Sequence, residues 1–272
     1  MDNYQEKTKQ EQSLEDKFLY SMKVNGYFLI ENVIDAKLLA ELRSAIDLSF
    51  DQDEKALNSG KYKSNANVSD VSRLLLGRHS AFEELIEKSS AQAFIDLILS
   101  DTCIINNYSA VRLMPNKKNV VGNIHKDSPR HSPEYKLAIQ LLYFVDDFTE
   151  ETGGTWILPG SHNSPDQPSE EMFFSNGKQI VGKAGTVMIF DSSLWHAGGF
   201  NISTNPRRGI AIVYTRSFIK QQIDIVKALP SEMIGKFSEK LKRLVGYNVR
   251  VPSSIEEFYL PTEQRLYKGG QG

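Results

Sequence analysis

Ala184-Gly185-Thr186-Val187-Met188-Ile189-Phe190 runs directly into Asp191-Ser192-Ser193-Leu194-Trp195-His196. The first seven residues read as a turn and a buried strand; the next six carry that strand to a histidine at its end. A rigid β-core could aim such a histidine into a cavity. The same texture surrounds it. Residues 103–114, 120–125, 137–145, 155–158, 179–181, 186–190 and 209–218 are short runs rich in Val, Ile, Tyr and Phe, separated by Pro, Gly, Asn and Asp. Strands of this length with turns at this spacing predict a sandwich or jelly-roll barrel, mainly β with flanking helices.

Helices are expected before and after this region. Asp35 is placed to cap a helix whose stripe is Leu38, Leu39, Leu42, Ile46 and Phe50. Ser80 should cap a second helix reaching about Leu99, and a last one is expected over about 230–246. Tyr27-Phe28-Leu29-Ile30, after Asn25-Gly26, reads as a strand. Residues 51–72 read as a surface loop, with a mobile lid as the alternative. Residues 1 to about 12 are polar and read as frayed or as a short helix, and flexibility is expected through about 16. No break in composition marks a boundary, so the expectation is one domain over 1–272 with its jelly-roll core at about 102–220.

Composition narrows the function. The 272 residues are 40% hydrophobic and 24% charged, with a formal net charge of −2. That balance gives no sign of a nucleic-acid or membrane partner and leaves a small-molecule substrate. Oligomeric state, monomer or homodimer, stays open. A single cysteine, Cys103, excludes an internal disulfide. The polar N-terminus and the absence of any apolar run near ~18 residues make the cytoplasm the default location.

The chemistry is expected at Asn123-Ile124-His125-Lys126-Asp127-Ser128. Residues two apart on an extended segment share a face, so His125 and Asp127 point the same way. With His196 they would form a facial cap of two nitrogens and one oxygen, leaving adjacent positions open as non-haem Fe(II) oxygenases require. Pro206-Arg207-Arg208-Gly209 opens the next strand eleven residues after His196. A guanidinium there could bind a dicarboxylate in a bidentate fork.

These residues, with Arg112-Leu113-Met114-Pro115, Gln140 through Phe148 and Pro159-Gly160-Ser161-His162, resemble the phytanoyl-CoA dioxygenase family of Fe(II)- and 2-oxoglutarate-dependent oxygenases. The resemblance covers about 102–220 well. It implies a double-stranded β-helix core and iron ligation by His125, Asp127 and His196. It also implies Arg207 on the distal carboxylate of 2-oxoglutarate, with Arg208 as the rival under a one-residue register shift. Gln140 is a further candidate for the co-substrate. The implied reaction consumes O₂ and 2-oxoglutarate, releases succinate and CO₂, and hydroxylates or otherwise oxidises a substrate C–H bond.

Two positions depart from the family pattern: Gly198, where relatives often carry a hydroxyl residue, and Asn123, commonly Gln. Asp127 is retained, whereas halogenating relatives replace it with a small residue. A cupin-like jelly roll with non-redox metal chemistry, or a binding protein without turnover, is the rival reading, and the former has no need of Arg207. Among the other histidines, His162 should order its loop and His79 should be exposed. His131 could touch substrate or be surface. Asp146-Asp147 reads as a solvated strand end, and Trp156 and Trp195 as core.

Overall fold

The computed structural model describes residues 13–63, 69–128 and 130–271. Its strands are Tyr27–Ile30 (β1), Val71–Arg73 (β2), Ile104–Leu113 (β3), Ala138–Phe144 (β4), Trp156–Ile157 (β5), Lys178–Gln179 (β6), Val187–Asp191 (β7), His196–Ala197 (β8) and Arg207–Thr215 (β9). They form two antiparallel sheets, ordered β1-β7-β4-β9-β3-β2 and β6-β5-β8. The mainly-β expectation with flanking helices holds, although neither sheet closes on itself.

Helices Leu14–Val24 (α1), Ala36–Asn58 (α2), Ser80–Lys88 (α3) and Gln92–Leu99 (α4) come before β3, and Glu170–Asn176 (α5) lies between β5 and β6. Ile225–Ala228 (α6), Ser231–Gly235 (α7), Glu239–Leu244 (α8) and Ile255–Phe258 (α9) follow β9.

The large sheet is apolar on both faces, and the two faces do different work. Ile139, Leu141 and Tyr143 of β4, with Ile210, Ile212 and Tyr214 of β9, join Phe18, Leu42, Ile46 and Phe82 of the helical layer in one core. The alternate residues Gln140, Leu142, Ala211 and Val213 face a cavity instead. At one end of that face Leu142, Phe144, Phe148, Ile157, Met188 and Phe190 seal a second core against the small sheet.

Several boundaries differ from expectation, each for a local reason. Residues 14–16 begin α1, because Ser13 accepts the Asp16 amide at 3.0 Å and Phe18 and Met22 bury one turn apart. The expectation for residues 1–12 lies outside the described residues. Residues 51–58 continue α2 rather than forming a loop. Asp53 explains the extension: it is buried, meets Arg78 Nη1 at 2.7 Å, and accepts from Ser72 Oγ and Tyr62 OH. Residues 64–68 of that stretch, with Asn65-Ala66-Asn67, also lie outside the described residues.

The helix expected over 80–99 is two. Ser89 turns the chain, bonding the Tyr143 hydroxyl at 2.6 Å and accepting the Ala91 amide. Its cap is His79, not Ser80, through Nδ1 and the Ala81 amide at 3.1 Å. The C-terminal helix is also split, because Ser238 caps a fresh start at α8. Residues 120–125 are a 3₁₀ turn, Val120–Gly122, and then a single bridge, rather than a strand.

Candidate functional site

His125 and His196 face each other across an antiparallel bridge in which each amide donates to the other's carbonyl, both at 2.9 Å. Two main chains so paired lie ~5.5 Å apart, which brings the rings together without help from side chains. The ring centroids are 4.2 Å apart. Each ring is then oriented by its own backbone. His125 Nδ1 lies 2.7 Å from the Asn123 carbonyl and His196 Nδ1 lies 2.9 Å from the Leu194 carbonyl. A carbonyl can only accept, so Nδ1 carries the proton and Nε2 keeps its lone pair. Both Nε2 atoms face one carboxylate, Asp127, at 3.9 Å from His125 and 3.6 Å from His196.

The three ligand atoms all lie within 4.8 Å of one another. His196 is buried, and that burial holds its pKa below the ordinary histidine value despite the Asp127 carboxylate. It is therefore neutral and ready to donate an electron pair. Ser128, next in chain after Asp127, donates its amide to the Ser192 carbonyl at 2.8 Å and locks this segment onto the end of β7. Two imidazoles presenting Nε2 and a carboxylate on one side of an open cavity fit Fe(II).

The cavity, about 650 Å³, lies between the sheets with these three residues on its wall. Arg207 lies further along the wall. Its side chain is buried, its Nη2 donates to the Gly153 carbonyl at 2.9 Å, and its guanidinium rests on Phe148, 3.9 Å from the ring centroid. Its Nε has no partner among the described residues. Burial, only partly offset by Asp146, pulls its pKa down to about 9. A buried cation short of a counter-charge suits a dicarboxylate co-substrate.

The Gly153 carbonyl reaches Arg207 because Gly153 has φ +81° and packs against Gly199, where a Cβ on Gly153 would meet the Gly199 oxygen at 2.9 Å. Arg208 points the other way. It meets Asp47 at 2.7 Å and Asp146 at 3.0 Å on the helical side, so strand alternation separates the two rivals.

The remaining predicted residues divide. Gln140 is buried and lines the cavity one row from Leu142. Asn123 contributes through its carbonyl, which is why Gln or Asn there makes little difference to the ring. Gly198 donates its amide to the Val121 carbonyl, and a Cβ there would lie 2.7 Å from Val121 Cγ2. A hydroxyl residue cannot fit unless the Val120–Gly122 turn moves.

His162 orders its loop, as expected, bonding the Lys23 carbonyl through Nε2. His131, Trp156 and Trp195 do not line the cavity. Asp146 and Asp147 are not free strand-end charges. Asp146 meets Arg43 and Arg208, and Asp147 meets Lys183 and the Ala184 amide, which lower its pKa. Sequence reasoning missed Thr155, Asn107 and Ser109 as cavity residues. Only the register between β3, β9 and β4 brings the two β3 residues there.

A family model described as Phytanoyl-CoA dioxygenase (PhyH) matches residues 22–209. The "Uncharacterized protein Rv1501" of Mycobacterium tuberculosis is 33% identical over 254 residues, 91% of this chain and 92% of that protein. The "Dioxygenase andF" of Emericella variicolor is 24% identical over 262 residues, 91% of this chain and 87% of that one. Among solved structures, HygX from Streptomyces hygroscopicus, with nickel and 2-oxoglutarate bound, superposes with a TM-score of 0.56 at 13% identity. That alignment covers 77% of this chain and 90% of HygX, a likeness of fold.

Proposed function

Since the chain belongs to the phytanoyl-CoA dioxygenase family and is an Fe(II)- and 2-oxoglutarate-dependent dioxygenase, we propose that it oxidises a C–H bond of a small molecule by hydroxylation. In this reading the whole chain is one catalytic domain, His125, Asp127 and His196 hold the metal, and Arg207 holds the distal carboxylate of 2-oxoglutarate. The observation that carries it is the pairing, in one cavity, of three ligand atoms within 4.8 Å with a buried arginine short of a counter-charge.

Fe(II) held by His125, Asp127 and His196 would supply the O₂ chemistry by which 2-oxoglutarate is converted to succinate and CO₂ as the substrate is oxidised. The protein's part is positioning. Backbone carbonyls hold both imidazoles with Nε2 inward, and the Asp127 carboxylate faces both rings. Arg207 offers its fork to the co-substrate, with Phe148 beneath it excluding water. Gln140 offers an amide to the same ligand. Retention of Asp127 favours hydroxylation over halogenation.

Anaerobic titration of Fe(II) and 2-oxoglutarate tests this reading. A weak visible charge-transfer band should form in the native protein. His196→Ala should weaken metal binding by more than the ~10–100-fold typical of losing an outer partner. If no band forms, and no succinate accumulates in air with any substrate supplied, the reading is wrong.

A further inference from the structure

The cavity extends beyond the ligand set and beyond a co-substrate held at Arg207, and the charge lining its remainder is one-sided. Arg73 of β2, Arg130 after Asp127 and Lys220 beyond β9, all three exposed to solvent, line it from three separate stretches of chain. Asp127 is the one acidic residue in the lining, and in the proposed reading it would be taken up by the metal. Four arginines outside the cavity, Arg43, Arg78, Arg112 and Arg208, each meet a carboxylate at 2.7–3.3 Å. Among the described residues, no carboxylate pairs with Arg73, Arg130 or Lys220.

These cations stand on tethered backbone. The β3–β9 register slips between Ile105 and Asn107, a bulge that turns both Asn106 and Asn107 toward the cavity. Bulges beside active sites commonly re-aim a side chain in this way. The Asn106 amide donates to the Lys220 carbonyl at 3.0 Å, and the Gln222 amide returns a bond to the Asn106 carbonyl at 3.3 Å. Arg73 is held opposite Ser109 by strand pairing, and the Arg130 carbonyl accepts from Ser128 Oγ at 2.9 Å. Val71, Val111 and Val121, which pack together, and Ile219 also line the cavity.

We infer that the substrate is an anionic small molecule, an aliphatic body ending in a carboxylate or phosphate. Arg73, Arg130 and Lys220 meet its charge, and the valine wall carries its body toward the ligand set. Cations without counter-charges beside low-dielectric walls concentrate anions, and the aliphatic surface favours an apolar body. The inference rests on the dioxygenase reading of this cavity and deepens it.

Calorimetric titration of protein loaded with Ni(II) and 2-oxoglutarate tests it, using octanoate, octyl phosphate, 1-octanol and octylammonium as probes. At least one of the two anions should bind ~10-fold or more tightly than octanol, a factor worth about 1.4 kcal/mol, and octylammonium should bind no better than octanol. The anion that binds more tightly identifies the head group. Arg73→Gln combined with Lys220→Gln should erase roughly that tenfold advantage while octanol and 2-oxoglutarate affinities hold. The subsite is overturned if neither anion binds, if octanol or octylammonium matches them, or if the advantage survives in the double variant. Failure of 2-oxoglutarate to bind the Ni(II)-loaded protein would overturn the dioxygenase reading instead.

Discussion

Arg207 and Arg208 are adjacent on β9, yet one lies over Phe148 inside the cavity and the other bridges Asp47 and Asp146 beneath the helical layer. Their substitutions should therefore separate cleanly. Arg207→Ala should weaken 2-oxoglutarate binding by at least ~30-fold, about 2 kcal/mol, with little change in metal affinity. Arg208→Gln should lower the urea midpoint and leave 2-oxoglutarate binding within about twofold. The guanidinium is charged below its lowered pKa of about 9, so native affinity should fall as pH rises through that value. Calorimetry across pH checks both statements.

Gly198 should not tolerate a side chain. A Cβ at 2.7 Å from Val121 Cγ2 and 3.2 Å from the Val121 carbonyl forces the Val120–Gly122 turn outward. Gly198→Ser should cost about 1–3 kcal/mol of stability, as overpacking usually does. It should also loosen the bridge that pairs His125 with His196 and so weaken Co(II) binding. Thermal melts and Co(II) absorption read the two effects separately.

Asp53 should be a costly buried charge to remove. It is buried against Arg78, Ser72 and Tyr62 and ties α2 to β2. Asp53→Ala leaves the Arg78 guanidinium without its partner and should cost about 3–5 kcal/mol. Urea unfolding would measure it, and a loss below about 1 kcal/mol would mean the pair is not a buried one.

His162 gives a pH signature. Burial lowers its pKa below 6.5, with Asp191 opposing and Lys136 assisting. The unfolded chain then binds more protons than the folded one as pH falls through 6.5, so stability declines on that side and is complete above it. The metal-free protein should lose stability as pH falls through the lowered value, by no more than about 1.4 kcal/mol per unit from this group. His162→Gln should flatten that slope in a series of urea midpoints.

Much of the site was legible because it depends on short-range regularities. Alternation along an extended chain puts His125 and Asp127 on one side; His196, expected at the end of the strand now seen as β7, instead opens β8 in the other sheet and reaches them through its bridge to His125. What escaped depends on partners far away in sequence. Which of Arg207 and Arg208 faces inward turns on β9 register, which a one-residue slip would reverse. The break at Ser89 is made by Tyr143, and the reach of α2 to Asn58 goes with the burial of Asp53 beside Arg78. Three-residue β2 carries too little pattern to see, although it supplies Arg73 to the cavity.

The carbonyls of Asn123 and Leu194, each two residues ahead of its imidazole, have a consequence for how this cavity can change over time. Since main chain holds both rings, the orientation of each imidazole does not depend on a side-chain partner that would have to change with the wall. Wall positions such as Val111, Asn107 or Arg73 can then be exchanged for others without retuning the metal. A scaffold of that kind can acquire new substrates one wall residue at a time while its oxidising centre is inherited unaltered.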